Sequence, residues 1–225
     1  IIASESSLIS TGTEKMLIDF GKANFIDKAK QQPEKVKKAL EKVKNDGIYS
    51  TLNSIKSKLD TPLPLGYCNA GEVLENEGGK FKIGDRVVSN GAHSEVVSIP
   101  YNLCAKIPHN VSFESASYTV LGSIGLQGVR LLNPTIGESV VVIGLGLVGL
   151  LSVQILRANG CQVLGIDYST HRCELAKSFG AQIVDLSKEE NPTVKADIFS
   201  KNKGVDGVLI TASTKSSNPI HQAAQ

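Results

Sequence analysis

The residues with the clearest chemistry lie in the run Val140-Val141-Val142-Ile143-Gly144-Leu145-Gly146-Leu147-Val148-Gly149. An apolar stretch rich in β-branched residues feeds a G-x-G-x-x-G spacing, and each glycine has a separate job in a dinucleotide site. Gly144 makes the tight turn, Gly146 lets backbone approach a pyrophosphate, and Gly149 lets the next helix pack on the strand. The segment through Leu145, Leu147 and Val148 then offers free N–H groups and the positive end of a helix dipole to the phosphates. A second apolar run, Gln162-Val163-Leu164-Gly165-Ile166-Asp167, ends in a carboxylate at the interval where a ribose 2′-hydroxyl is held. Tyr168 and Arg172 follow it. Thr211 and Ala212 lie just past a later strand, at the carboxyl edge where ligands bind in such sheets.

This pattern has rivals. A glycine-rich strand-to-helix turn can hold no ligand at all. A methyltransferase also pairs a glycine loop with an acid after the second strand, but it carries a further acid just before the first glycine. Here that position is Ile143, so dinucleotide binding is the reading that fits. A 2′-phosphate at Asp167 would set a dianion against a carboxylate, which makes NAD the expected cofactor and NADP the less favoured one. Arg172 is the complication, as a cation able to soften that repulsion.

Composition narrows the class. The chain has 225 residues, suited to two modest domains, and its 24 basic against 22 acidic side chains leave a formal charge of +2. That balance argues against a nucleic-acid partner, and no apolar run is long enough to span a bilayer. No signal peptide is visible at the first residues, and Cys68, Cys104, Cys161 and Cys173 lie far apart without a C-x-x-C pair. The expected location is therefore the cytoplasm, with reduced thiols. Ile1 stands where an initiator methionine would, and the chain stops soon after a strand, so both ends read as cut.

The elements that must position these residues follow in order. Ile1 to Thr11 begins as a strand, and Lys15 to Phe20 reads as a short helix. Pro33 suits a first helical position, Val36, Leu40 and Val43 share one face, and Asn45-Asp46-Gly47 closes that helix. A second polar helix runs from about Tyr49 to Lys58. The lysines of this region read as a solvated face and the segment, about 20–60, as an insertion. From Leu65 the pattern turns to β: Gly71–Glu75, a Glu77-Gly78-Gly79 turn, a strand from Ile83 to Val88, and an edge strand from His93 to Ile99 on which His93 reads as a surface residue. Val111 to Ala116 opens a helical stretch. Beyond Gly149, a helix through Asn159 is closed by Gly160, and Ser169 or Thr170 caps the next, which runs to Ser178. Strands at Ile183–Asp185 and Val205–Thr211 and a helix started by Asn191-Pro192 complete the pattern. The predicted boundary falls between 1–115, a β-rich domain, and 116–225, a doubly wound domain with fewer than the usual complement of about six strands.

This order of segments resembles the medium-chain dehydrogenase/reductases, the zinc alcohol dehydrogenase superfamily. Ile9-Ser10-Thr11-Gly12-Thr13-Glu14 is similar to the first active-site loop of that family, and Leu65-Gly66-Tyr67-Cys68-Asn69-Ala70-Gly71 to the second. Phe81-Lys82-Ile83-Gly84-Asp85-Arg86-Val87 resembles its strand signature. The lysine-rich insertion with Gly66-Tyr67-Cys68-Asn69-Ala70-Gly71 further resembles the N-terminal half of two-part oxidoreductases of polysaccharide biosynthesis. The resemblance implies an α/β fold: a β-rich, co-chaperonin-like catalytic domain followed by a Rossmann domain, here truncated.

The departures matter as much. Zinc members carry a cysteine where this chain has Thr11 and His-Glu where it has Tyr67-Cys68, and their third ligand would fall near Leu121. Catalytic zinc takes three protein ligands and an open position, so no metal site is expected. The implied activity is a zinc-independent hydride transfer between NAD and an alcohol, a ketone or an activated alkene, with a lean toward sugar-type substrates. Tyr67 is the candidate proton relay and Thr11 and Thr13 the candidate substrate ligands; packing and loop capping are their structural alternatives. A nucleotide-binding regulatory or scaffold module that has lost catalysis is the rival function. The expected partners are a small-molecule substrate and, for a homo-oligomer, other copies of the chain.

Overall fold

The computed structural model describes residues 1–24, 27, 30, 33, 34, 36, 37, 41, 62–76 and 79–225. It divides into two compact units, Ile1–Ser117 and Tyr118–Gln225. No described helix is long and apolar enough to cross a membrane.

The first unit is built on an antiparallel sheet of five strands: β1 (Ile2–Ser7), β2 (Asn69–Val73), β3 (Arg86–Ser89), β4 (Val96–Val97) and β5 (Cys104–Lys106), in the order β4-β1-β2-β3-β5. Ile2, Val73, Phe81, Val87 and Val97 form its core. The alternation that buries Ile2 is broken by a bulge between Ser4 and Ser6, which re-aims the end of β1. Strand β2 runs Asn69–Val73 and not Gly71–Glu75: Asn69 is fully buried and its Nδ2 donates to Ser4 Oγ at 2.6 Å, while the Leu74 and Glu75 N–H groups turn away to the Ile1 carbonyl. Strand β3 begins three residues later than Ile83. Gly84 has φ +82° and Asp85 Oδ2 accepts the Lys82 N–H, so Ile83 lies in a turn and is 75% exposed.

Helix α1 spans Thr11–Lys22, four residues ahead of the expected start. The Ser10 side chain makes no capping bond; the Glu14 carboxylate reaches back to the Ser10 N–H at 2.7 Å and satisfies that donor instead. In the lysine-rich segment, Asp27, Lys30, Pro33, Glu34, Val36, Lys37 and Glu41 are helical. Leu40, Val43, residues 45–47 and the helix expected at 49–58 lie outside the described residues, as do Glu77 and Gly78. Helix α2 (Phe113–Ser117) packs on β1 and β2.

The second unit is a parallel sheet with helices on both faces. Its strands are β6 (Ser139–Ile143), β7 (Gln162–Asp167), β8 (Gln182–Asp185) and β9 (Gly207–Ile210), in the order β8-β7-β6-β9. Helices α3 (Thr119–Leu132), α4 (Leu147–Ala158), α5 (Thr170–Ser178), α6 (Pro192–Phe199) and α7 (Asn218–Ala223) connect and cover them. The alternation of a pleated strand divides β6 between two cores. Val140 and Val142 pack with Val129, Val153 and Leu156, whereas Val141 and Ile143 pack with Leu164, Ile166 and Phe199. Strand β9 starts at Gly207, two residues later than expected; just before it Asp206 donates its N–H to the Ser139 carbonyl at 2.9 Å and accepts the Ser139 N–H through Oδ2 at 2.7 Å.

Candidate active site

Each glycine of the fingerprint meets a different physical demand. Gly144 follows β6 with φ +94°, and a Cβ there would stand 2.6 Å from the Ala212 nitrogen. A Cβ on Gly149 would overlap the Gly144 carbonyl oxygen, so the closeness of α4 to the strand end depends on its absence. Beside Gly146 there is open space, with nothing within 4 Å of a Cβ position. Gly146 also precedes the first turn of α4, whose leading N–H groups have no intrahelical carbonyl.

Asp167 braces this loop. Its Oδ2 accepts the Leu145 N–H at 2.7 Å and its Oδ1 accepts the Ser169 N–H at 2.8 Å, on a side chain 11% exposed. Ser169 is the N-cap of α5, but its side chain makes no capping bond, and its own N–H donates to Asp167. Thr170 turns instead to Asp185, donating to Oδ2 at 2.7 Å. Arg172 Nη1 stands 3.8 Å from Asp167 Oδ2, a loose pair on an exposed guanidinium. Thr211 and Ala212 donate their N–H groups to the Ile143 carbonyl at 2.9 and 3.0 Å, and the Thr211 hydroxyl donates to the Gly144 carbonyl. Both therefore back the glycine turn. Tyr168 is largely exposed. Cys173 is fully buried, its thiol facing the Asp167 and Val184 carbonyls, and burial first, then the nearby Asp185 and Asp167, pushes that thiol up to about 11.

In the first unit the Thr11 and Thr13 hydroxyls are exposed on the first turn of α1, and Tyr67 is half-buried. Sequence reading missed two residues here. His93 does not sit on an edge strand, since β4 is only Val96–Val97. Its ring is bonded at both nitrogens: Nδ1 to Ser7 Oγ at 2.8 Å and Nε2 to Glu14 Oε2 at 3.0 Å. Glu14, read only as part of a loop, is 5% exposed. The polar setting of His93 comes from partners 86 and 79 positions away, which local pattern cannot display.

The positions that correspond to the metal ligands of zinc relatives do not fit a metal. Thr11 is a hydroxyl, Tyr67 a phenol, and Leu121 an aliphatic side chain 3% exposed in α3. Among the described residues no group of three or more His, Cys, Asp or Glu could hold one.

Residues 148–223 match the family of zinc-binding dehydrogenases. With the fold and fingerprint, this match makes the chain similar to the medium-chain dehydrogenase/reductase superfamily, the zinc alcohol dehydrogenase-like proteins. Among its relatives, D-guloside 3-dehydrogenase of Escherichia coli K12 is 34% identical over 164 residues, covering 66% of this chain and 47% of that protein. The alcohol dehydrogenase TADH of Thermus sp. ATN1 superposes with a TM-score of 0.64 at 25% identity, over 71% of this chain and 57% of that one. The quinone oxidoreductase of Escherichia coli, solved with NADPH, gives a TM-score of 0.61 at 27% identity, over 76% and 56%. The chain spans about half the length of the curated relatives it matches.

Proposed function

We propose that the protein is an NAD-dependent, zinc-independent oxidoreductase that transfers a hydride between the nicotinamide and an alcohol or ketone of sugar type. Activated alkenes form the second substrate class. The observation that carries this reading is the braced glycine loop: Gly144, Gly146 and Gly149 in their three roles, with Asp167 bonded to Leu145.

Gly146 and the free N–H groups at the start of α4 would receive the pyrophosphate, and Asp167 the adenosine ribose. Each Asp167 oxygen already accepts one backbone N–H and keeps lone pairs for ribose hydroxyls, which donate. A phosphate in that place would meet a carboxylate whose nearest cation, Arg172, is already drawn to it. When bound, the nicotinamide supplies the hydride chemistry. The chain must then orient the substrate and move a proton. Tyr67 is assigned the relay through its phenol, and Thr11 and Thr13 the orientation of substrate hydroxyls. The similarity to D-guloside 3-dehydrogenase supports a sugar-type substrate, and the relatives named for alcohols and quinones support the wider carbonyl chemistry.

The test is cofactor binding followed by fluorescence, together with elemental analysis. The dissociation constant for NADH is expected to be at least about tenfold below that for NADPH. Protein purified without chelator is expected to hold well under one zinc per chain. Tighter NADPH binding overturns the cofactor assignment, and a stoichiometric zinc overturns the metal-free mechanism.

A further inference from the structure

The helix start that carries Thr11 and Thr13 and the loop that carries Tyr67 converge on one side chain, His93. Its backbone N–H donates to the Leu65 carbonyl at 2.8 Å. Its Nε2 lies 3.0 Å from Glu14 Oε2, on the first turn of α1, and its Nδ1 lies 2.8 Å from Ser7 Oγ at the end of β1. The other Glu14 oxygen, Oε1, accepts the Ser10 N–H at 2.7 Å, so one buried carboxylate joins the helix start to the ring. A carboxylate only accepts, so Nε2 carries the proton, and Nδ1 accepts from the Ser7 hydroxyl. A carboxylate as buried as Glu14 requires such partners.

The second loop is shaped around the ring. Gly66 has φ +90°, and a Cβ there would stand 2.7 Å from His93 Cγ, Cδ2 and backbone N. Imidazole fills the place of a side chain. Residues 62–68 otherwise lie outside any strand, with the Leu8 N–H to Cys68 carbonyl bond (2.9 Å) as a further tie before β2 begins.

We propose, resting on the oxidoreductase reading above, that His93 held by Glu14 is a positioning residue for the reaction. It sets the loop of Tyr67 against the helix start of Thr11 and Thr13, so that the substrate-facing hydroxyls keep one arrangement. Serine, imidazole and buried carboxylate form a single hydrogen-bonded line, and breaking it at the ring releases both segments together.

His93→Phe keeps a ring of similar shape and removes both side-chain bonds. Three readings apply to it. Amide hydrogen exchange at Ser10 is expected to quicken at least tenfold, because Glu14 loses its partner. With a panel of alcohols, polyols and methyl glycosides under NAD, and a quinone under NADH, kcat on the best probe is expected to fall at least tenfold while KM for the cofactor stays put. His93→Gln, whose amide still donates to Glu14, is expected to recover most of that loss. As an independent check that needs no turnover, Glu14→Gln presents an amide to the ring, and ¹⁵N shifts are expected to report a switch of the His93 proton from Nε2 to Nδ1. An unchanged kcat in folded His93→Phe overturns the positioning role, as does a Glu14→Gln ring that keeps its tautomer. Absence of turnover with every probe in the unmutated protein fails the oxidoreductase reading instead, and Ser10 exchange then still decides whether the tie exists.

Discussion

The two units build their sites from different materials. In the second unit the candidate site is main chain: a glycine turn, a helix start and backbone N–H groups, with one carboxylate bracing them. Its side chains serve mostly by being absent. In the first unit the candidate site is side chains: hydroxyls and a phenol on segments joined by an imidazole and a buried carboxylate. That main chain leaves almost no room for a side chain at Gly149, and Leu145, fully buried in the core, packs against Gly165, whereas Leu147 is exposed. Binding of a common cofactor goes with the first kind, and specificity for a substrate with the second.

The sharpest way to break the contrast is at Gly149. Gly149→Val drives a branched side chain into the Gly144 carbonyl and the Thr211 hydroxyl, both part of a closely packed strand end. The cost is expected to reach about 3 kcal/mol or more, read as a lower urea midpoint with loss of NADH binding. A stable variant with intact binding would mean the main chain there is not under constraint.

Next is Tyr67. Its removal from the proton path in Tyr67→Phe is expected to lower kcat by roughly ten- to a thousandfold and to leave cofactor affinity unchanged. Unchanged turnover reduces Tyr67 to packing, and the first site to its threonines.

Asp167→Gly links the two kinds of material, since it removes a side chain that holds backbone. Loss of the Leu145 and Ser169 bonds is expected to weaken both cofactors, while loss of the carboxylate relieves the 2′-phosphate. The ratio of NADPH to NADH dissociation constants is therefore expected to narrow by about tenfold. A ratio that does not move removes Asp167 from cofactor choice.

The smallest effect expected is at Asp185. Hydrogen bonds from Ser187 and Thr170, opposed by burial, hold its carboxyl at about 2, below the ordinary 3.8. A folded value below the unfolded one means the contribution is whole above pH ~4 and fades as the pH falls toward 2. Urea midpoints of the native protein and Asp185→Asn should differ at pH 6 and converge near pH 2. Parallel curves would show that these bonds do not favour the ionised form.

The glycine turn and its flanking strand and helix were legible because they are local. Spacing within Gly144–Gly149 and the carboxylate ending the next strand are a consequence of one βαβ unit, whose geometry is the same wherever it occurs. The apolar run of β6 announced a strand buried on both faces, and Asn191-Pro192 announced the start of α6, where the Asn191 Oδ1 accepts the Thr193 and Val194 N–H groups. Boundaries moved where a polar side chain captured a backbone group, as Asp85 does at Lys82 ahead of β3 and Glu14 at Ser10 at the start of α1, whereas α5 begins after Ser169 as expected. Periodicity carries no trace of such bonds.

By itself, then, the sequence determined the βαβ spacing and the order of strands and helices from β6 to β9, since each follows from residue type and short spacing; strand β5 and helix α7 were not anticipated. Only the tertiary structure decided what His93 and Glu14 do. An imidazole on a strand pattern is neutral information until sheet pairing brings residue 7 to one of its nitrogens and residue 14 to the other. Hydrogen bonds between residues far apart in the chain are set by how the strands pair, and that pairing is a property of the whole sheet.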